Sequence, residues 1–273
     1  MEKPGVYRTE TSDIQTMRKS KTLEHIENIN NVRNGSCIIL AAGSGDRLGP
    51  KIRPKHLTKI YGAESIIWSL KTAIESNAFR EIYITVGCKF LENTKQIVNQ
   101  FFNVASNNIH FIEGAPYREG SLKNAYEFLV RRDNVKASDL ITLMDANRPF
   151  TPIRQLHSII NEAEIHGCAC PGRGVINGIA EISEGYIVNV PDKVKFIEFV
   201  TPEVIKKNIL DKTIDSEKLG ISGFVERAIT VGIQPKFICA TELNTKLTYP
   251  EDITYLEGLA QKYNLKPPQR IIS

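Results

Sequence analysis

The sequence predicts an α/β fold built on a parallel sheet. Short apolar runs alternate with amphipathic segments of roughly 10–15 residues, and Gly or an acidic residue ends most of the runs. Strands that alternate with helices of about this length pair in parallel through right-handed crossovers. The 273 residues are 41% hydrophobic and 24% charged, which is typical of a folded protein with a large core. Neither a disordered chain nor a coiled coil fits this composition.

The individual elements follow in order from their local patterns. The first strand is predicted at 36–42, a buried run that Gly43 ends. Further strands are predicted at 81–86, 109–112, 139–144 and 236–240, and helices at 65–78, 91–102, 121–130, 152–166 and 249–259. Thr201 and Pro202 predict the cap and the first residue of another helix. Gly and Pro turns across 168–200 predict hairpins or an arm outside the main sheet.

Global properties of the chain exclude several classes of protein. Residues 1–35 are polar and of mixed charge, which predicts an N-terminal extension to a domain at 36–273. No apolar run reaches the roughly 18 residues of a spanning helix and no secretory signal opens the chain, so we expect a cytoplasmic protein without a membrane partner. The net charge of +4 is too balanced to favour a nucleic-acid partner. The five cysteines lack paired spacing and predict buried free thiols.

The loop after the first predicted strand is rich in small residues and cations. Ligands of open α/β sheets bind beyond the carboxyl ends of the strands, so this loop, at 40–49, is a candidate site. Its small residues let backbone N–H groups approach a phosphate, and Arg47 and Lys55 add positive charge. Its glycine spacing matches neither a dinucleotide-binding turn nor a P-loop. A tight turn with two solvated bases explains the loop equally well.

Two further strand ends carry candidate residues. Gly114 ends the third strand and Ser121 opens the next helix, a pattern that ordinary turn and cap chemistry also explains. Asp145 ends the fourth strand and the small residue Ala146 follows it. A carboxylate at this position is well placed to hold Mg²⁺ on the phosphates of a nucleotide. The alternative is that Asp145 caps the following turn or pairs with Arg148.

A fourth candidate, Lys246, precedes Thr248, a predicted helix cap, and could point into the same cleft. In combination, the segments LAAGSGDRLG, RPKHL, MDANRPF and NTKLTYPEDI and the GxxxREGS loop have distinctive order and spacing. In these features the chain resembles the methylerythritol-phosphate and ribitol-phosphate cytidylyltransferases from about Cys37 to Leu259. The resemblance implies a doubly wound, mostly parallel, Rossmann-like nucleotidyltransferase fold whose β-arm completes a homodimer.

The resemblance also implies a role for each matching residue. CTP would be the co-substrate and Mg²⁺ the cofactor. The phosphates of CTP would be wrapped by Ala41, Ala42, Gly43, Ser44 and Gly45. Gly114 and Ser121 would recognise the cytosine. Ala146 would lie close to the ribose, and Asp145 would bind the metal. The implied catalytic residues are Arg47, Lys55 and Lys246, and the implied substrate-binding residues are Lys193, Arg173 and Thr201.

The implied activity is transfer of CMP from CTP to a phosphorylated alcohol with release of pyrophosphate. The chain departs from the methylerythritol pattern mainly where the acceptor would bind: the usual arm arginine is Lys193, the expected Asp after Arg173 is Gly174, and the acidic residue expected before Asn244 is Leu243. These departures favour ribitol 5-phosphate as acceptor. The alternatives are 2-C-methyl-D-erythritol 4-phosphate, a sugar-phosphate nucleotidyltransferase with another nucleotide, and a non-catalytic nucleotide-binding module.

Overall fold

The computed structural model describes residues 35–43, 54–132, 135–215 and 223–271. The strands in these ranges are β1 (Gly35–Ala41), β2 (Lys59–Ile60), β3 (Ala63–Glu64), β4 (Phe79–Val86), β5 (Ile109–Glu113), β6 (Leu140–Asp145), β7 (Cys168–Gly174), β8 (Glu181–Ser183), β9 (Tyr186–Asn189), β10 (Ile197–Phe199), β11 (Glu203–Lys206) and β12 (Lys236–Cys239). The helices are α1 (Ser65–Glu75), α2 (Leu91–Phe101), α3 (Arg118–Arg132), α4 (Ile153–His166), α5 (Lys207–Leu210), α6 (Phe224–Thr230) and α7 (Glu251–Lys262).

Among the described residues, one eight-stranded sheet organises the fold. Seven strands follow the order β10-β7-β11-β6-β1-β4-β5, and β12 pairs with β7. The strands β6, β1, β4 and β5 run parallel to one another, whereas β11 is antiparallel to both β6 and β7. The predicted α/β fold with a mostly parallel sheet is confirmed. The parallel half brings the carboxyl ends of β1, β5 and β6 to one edge.

The residues of β1 alternate between two hydrophobic clusters, one on each face of the sheet. Cys37 and Ile39 pack with residues of α1, α2 and α7, whereas Ile38 packs with residues of α3 and α6. All three side chains are completely buried. Because both faces are covered by helices, β1 is a continuous apolar run and does not alternate with polar residues.

The prediction of a helix that begins at Thr201 and Pro202 is wrong. The segment after them forms β11, which lies between β6 and β7. Val204 and Ile205 are completely buried and belong to different clusters. These β-branched residues suit a central strand, and burial on both faces outweighs the local cap pattern.

Two predicted helix starts also differ from the structure. Thr248 does not cap α7; its backbone N–H and that of Tyr249 donate to Oδ2 of Asp252, at 2.7 and 2.8 Å. Helix α3 begins at Arg118, so Ser121 lies inside the helix and does not open it. Its hydroxyl accepts from the N–H of Ala115 at 3.0 Å and so ties the preceding loop to the helix.

The cysteines and the segment 168–200 differ in part from the sequence-based predictions. All five cysteines are free thiols, but Cys88 and Cys239 are exposed, so the prediction of burial is wrong for these two. Cys239 ends β12, whose one partner among the described strands is β7. Within 168–200, β7 and β10 join the main sheet while β8 and β9 form a separate two-stranded sheet. No helix in the described ranges is long and apolar enough to cross a membrane.

Candidate active site

A cavity of about 390 Å³ opens at the carboxyl edge of the parallel strands. Its lining comes from the ends of β1 and β6, the loop after β5, a short 3₁₀ turn at Lys55–Leu57 and the segment before α7. Eight predicted site residues line it: Ala41, Ala42, Gly43, Lys55, Ser121, Asp145, Ala146 and Lys246. Ser44, Gly45 and Arg47 lie outside the described residues. The edge rule for α/β sheets therefore located the cavity correctly.

Gly114 holds two of the cavity loops in contact. A Cβ atom at this position would lie 2.3 Å from Cβ of Ala42 and 3.1 Å from Oγ of Ser121. The N–H of Gly114 donates to the carbonyl of Val86 at 2.9 Å, which fixes the loop against β4. Glycine is required here because the loops that follow β1 and β5 approach each other too closely for a side chain.

Asp145 is the electrostatic centre of the cavity. Its side chain is 5% exposed, and its carboxylate accepts from Nη1 of Arg118 at 2.5 Å and from Nζ of Lys246 at 2.9 Å. Nε of Arg148 lies 3.7 Å away. Burial alone would raise the pKa of Asp145, but the three cations outweigh burial and hold that pKa well below its usual range. The carboxylate is therefore ionised at neutral pH.

Hydrogen bonds around Asn147 and Arg148 bring Lys246 to this carboxylate. The Asn147 carboxamide donates to the carbonyl of Leu247 at 2.9 Å, and the N–H of Leu247 donates to the carbonyl of Asn147 at 2.8 Å. Nη1 of Arg148 donates to the carbonyl of Asn244 at 2.8 Å. The segment that carries Lys246 is thus bound to the turn after β6, although about 100 residues separate them.

Comparison with known families identifies the chain. The model of the family "2-C-methyl-D-erythritol 4-phosphate cytidylyltransferase" matches residues 36–262. The chain belongs to this family. The predicted class of activity, CTP-dependent nucleotidyl transfer, is confirmed.

Individual relatives agree with the family assignment. A 2-C-methyl-D-erythritol 4-phosphate cytidylyltransferase of Caldicellulosiruptor bescii is 26% identical over 83% of this chain and 98% of its own length. Its counterpart from Thermotoga neapolitana is 24% identical over 83% and 96%, respectively. The crystal structure of a 4-diphosphocytidyl-2C-methyl-D-erythritol synthase from Anaerococcus prevotii superposes with a TM-score of 0.68 at 20% identity, covering 84% of this chain and all of that one. This last likeness confirms the fold.

Three ionisable residues that line this cytidylyltransferase's cavity were not predicted from its sequence. Arg118 opens α3 and pairs with Asp145; burial lowers its pKa, but Asp145 reverses the effect and raises it. His56 and Tyr117 also line the cavity. Arg118 belongs to the GxxxREGS segment, in which the sequence analysis assigned roles only to the small residues Gly114 and Ser121. His56 belongs to the RPKHL segment, in which the sequence analysis assigned a role only to Lys55.

The predicted acceptor residues do not line the cavity of the cytidylyltransferase chain. The Arg173 guanidinium donates to the carbonyl of Thr241. Lys193 follows β9 in the chain, and its Nζ donates to the carbonyl of Ile176 at 2.8 Å. Thr201 is buried, and its carbonyl accepts from Nδ2 of Asn244 at 2.8 Å. None of the three therefore lines the cavity, although Asn244 connects Thr201 to Arg148, which lies beside Asp145.

Proposed function

We propose that this family member transfers CMP from CTP to 2-C-methyl-D-erythritol 4-phosphate. The observation that carries the proposal is the buried Asp145 carboxylate, which contacts Arg118 and Lys246 in a cavity that Lys55 also lines. Cations outnumber the carboxylate, so the cavity attracts a polyanion such as a triphosphate. The choice of acceptor follows the names of the relatives. Our preference for ribitol 5-phosphate finds no support among them, but the departures at Gly174 and Leu243 keep it as a second candidate.

The proposed reaction needs positioned cations and no general base. An oxygen of the acceptor phosphate attacks the α-phosphorus of CTP in line, the bond from this phosphorus to the bridging oxygen breaks, and pyrophosphate leaves. The nucleophile is already an anion, so no proton has to be removed. Lys55 and Lys246 would stabilise the charge on the non-bridging oxygens and hold the two phosphates together. We assign Arg47 the same role as Lys55, on the resemblance alone.

The small residues of the cavity support a binding site for the nucleotide. Ala41, Ala42 and Gly43 leave the carboxyl end of β1 without bulky side chains, so backbone N–H groups can approach phosphates. Gly114 and Ser121 stand beside Ala42, on the side of the cavity that we assign to the cytosine. Ala146 follows the metal-binding candidate and is assigned to the ribose.

The donor set fits a magnesium ion bound mainly through nucleotide phosphates. Asp145 supplies one ionised carboxylate, and no group of three or more His, Cys, Asp or Glu side chains among the described residues forms a complete metal cage. Mg²⁺ in phosphoryl-transfer sites commonly uses one or two carboxylates together with substrate phosphates. The ion would supply charge neutralisation at the phosphates, and Asp145 is the residue that would hold it.

The exposed apolar arm supports a homodimer. Ile182, Tyr186, Ile187 and Val188 on β8 and β9 are all more than half exposed, and such apolar patches mark interaction surfaces. Lys193, which follows this hairpin in the chain, would then serve the partner's cavity, and Arg173 would contact the acceptor only in that assembly. Thr201 is buried and would act through the contact of its carbonyl with Asn244. Ile187→Glu should shift the sedimentation coefficient to that of a monomer. The cytoplasmic location stays a prediction.

Pyrophosphate release tests the proposed function directly. CTP, UTP, GTP and ATP are each combined with 2-C-methyl-D-erythritol 4-phosphate, ribitol 5-phosphate and a sugar 1-phosphate, with Mg²⁺ present. We expect turnover with CTP and the methylerythritol phosphate, and a loss of two to three orders of magnitude in Lys55→Ala, about the effect of removing one group that stabilises transition-state charge. Turnover with another nucleotide, or near wild-type turnover of Lys55→Ala, would overturn the assignment.

Thermal melting tests the remaining alternative, a non-catalytic module. A ligand that binds the native state raises the melting temperature. We expect CTP with Mg²⁺ to raise it, and UTP to raise it less. A rise with CTP but no turnover with any acceptor would favour the binding module over the enzyme.

A further inference from the structure

The turn that carries Lys55 contains a second side chain that the proposed chemistry does not use. His56 lines the same cavity and is 3% exposed. Its Nε2 atom lies 3.1 Å from Oγ1 of Thr94, which is completely buried on α2. A buried hydrogen bond therefore joins this turn to a helix of the core, across 38 residues of sequence.

Other contacts also hold the turn, and the N–H of Ser65 at the start of α1 donates to the carbonyl of Thr58, just after the turn, at 2.9 Å. The N–H of Leu57 donates to the carbonyl of Pro54 at 2.8 Å, which closes the turn on itself. The Leu57 side chain is buried in the larger hydrophobic cluster, and apolar contacts are not directional. The His56 ring also meets Phe90 edge-on, with centroids 6.3 Å apart. The hydrogen bond to Thr94 is the directional contact by which His56 fixes the turn to α2.

His56 makes this contact as a neutral group. Burial lowers its pKa to about 4, so the ring carries no charge at physiological pH. A neutral ring adds no positive charge to a cavity that already holds Lys55, Arg118 and Lys246. Its Nε2 atom is directed at Thr94, which suits the ring to hold a position.

We propose that His56 and Thr94 are a positioning pair that directs Lys55 at the α-phosphorus of the nucleotide. The inference rests on the proposed function, because that function gives Lys55 its role. Lys55 and His56 are neighbours in a three-residue turn, so a shift of the His56 ring moves the Lys55 backbone with it. Displacement of a catalytic group by about 1 Å can cost roughly 100-fold in rate.

Hydroxyl and ring variants test the pair. Thr94→Val and His56→Leu each remove the hydrogen bond and keep a buried side chain, whereas Thr94→Ser keeps the hydroxyl. Thr213→Val is the matched control, because Oγ1 of Thr213 is also buried and donates to a carbonyl, that of Ile209, at 3.2 Å. For each variant kcat, KM for CTP and the melting temperature are measured, with kinetics well below melting.

We expect Thr94→Val and His56→Leu each to lower kcat by roughly 10- to 100-fold and to change KM for CTP by less than about threefold. Thr94→Ser and Thr213→Val should keep kcat near the wild-type value. The double variant should lose no more than the worse single variant, since both remove one shared interaction. A purely structural role would lower melting temperatures and leave kcat unchanged.

Three results would overturn the pair: unchanged kcat in Thr94→Val or His56→Leu, additive losses in the double variant, or no rescue by Thr94→Ser. If Thr94→Val does not fold, His56→Gln is compared with His56→Leu, because the Gln amide can form a hydrogen bond with the same hydroxyl. Equal kcat values of these two variants would overturn the proposal. Wild-type protein that releases no pyrophosphate with CTP refutes the proposed function. Wild-type turnover with unaffected variants refutes only the positioning pair.

Discussion

Asp145→Asn is the most informative single change to this cavity. The substitution keeps the shape of the side chain and removes its charge. In the wild-type protein this charge faces Arg118 at 2.5 Å, Lys246 at 2.9 Å and Arg148 at 3.7 Å. The variant leaves three cations close together without their counter-ion, so both stability and catalysis should respond.

The expected loss of stability follows from burial. Removal of one partner from a fully buried ion pair costs about 3–5 kcal/mol. Here the carboxylate is 5% exposed, but the side chains of Arg118 and Lys246 are 30% and 35% exposed, so water screens part of their repulsion. We therefore expect Asp145→Asn to lower the free energy of unfolding by about 1–3 kcal/mol. For a domain of this size each kcal/mol lowers the melting temperature by about 2–4 °C.

Asp139→Asn is the matched control, because Asp139 lies just before β6 and Asp145 ends it. Asp139 pairs with a single cation, the 37% exposed Arg80, at 2.8 Å and accepts from the N–H of Lys136 at 3.0 Å, so its loss should cost about 1 kcal/mol and leave turnover unchanged. Urea unfolding, pyrophosphate release and CTP binding without Mg²⁺ are measured for both variants. Asp145→Asn should lose turnover yet bind metal-free CTP at least as tightly as the wild type. Equal stability of Asp145→Asn and the wild type, or weaker metal-free binding, would refute this view of the cluster.

Three further predictions concern other parts of the site. Lys246→Met keeps the aliphatic stem and should lower kcat by roughly 100- to 1000-fold in the pyrophosphate assay; full turnover would exclude a catalytic Lys246. Gly114→Ala forces a Cβ to within 2.3 Å of Ala42 and should weaken CTP binding about tenfold by calorimetry, whereas Gly174→Ala, with open space around it, should not. Burial raises the pKa of Glu203 from its ordinary 4.5 to about 7. Between these values the folded state holds a proton that the unfolded state has lost, so stability should fall as pH rises, and urea unfolding should show a flatter profile in Glu203→Gln.

The sheet could be predicted from the sequence because its central strands are buried on both faces. Such strands are uniform apolar runs that end abruptly, as at Gly43 and Asp145, and the ends of parallel strands meet at one edge. For the segment after Thr201, a prediction from local pattern was wrong. Its cap pattern is local, whereas its position between β6 and β7 depends on strands that are distant in sequence.

The partners of Asp145 could not be predicted from local patterns. Arg118 lies 27 residues before it and Lys246 lies 101 residues after it. Residues this far apart in sequence form no local pattern from which their contact could be predicted. The family resemblance indicated that Lys246 is a site residue, but it did not indicate Arg118. His56 was missed for another reason: its bond to Thr94 crosses between a turn and a helix, and nothing in RPKHL indicates a buried imidazole.

The charge distribution explains how one carboxylate can serve both the empty and the loaded cavity. Arg118, Arg148 and Lys246 repel one another, and without an anion among them they would turn toward solvent. Asp145 holds Arg118 and Lys246 at hydrogen-bonding distance, so their orientation is settled during folding and not during the reaction. On the proposed function, a triphosphate would bring several negative charges to the same cations and take over their pairing with Asp145, which would leave the carboxylate available for Mg²⁺. On this proposal, the cost of burying these charges secures an arrangement that already suits the transition state.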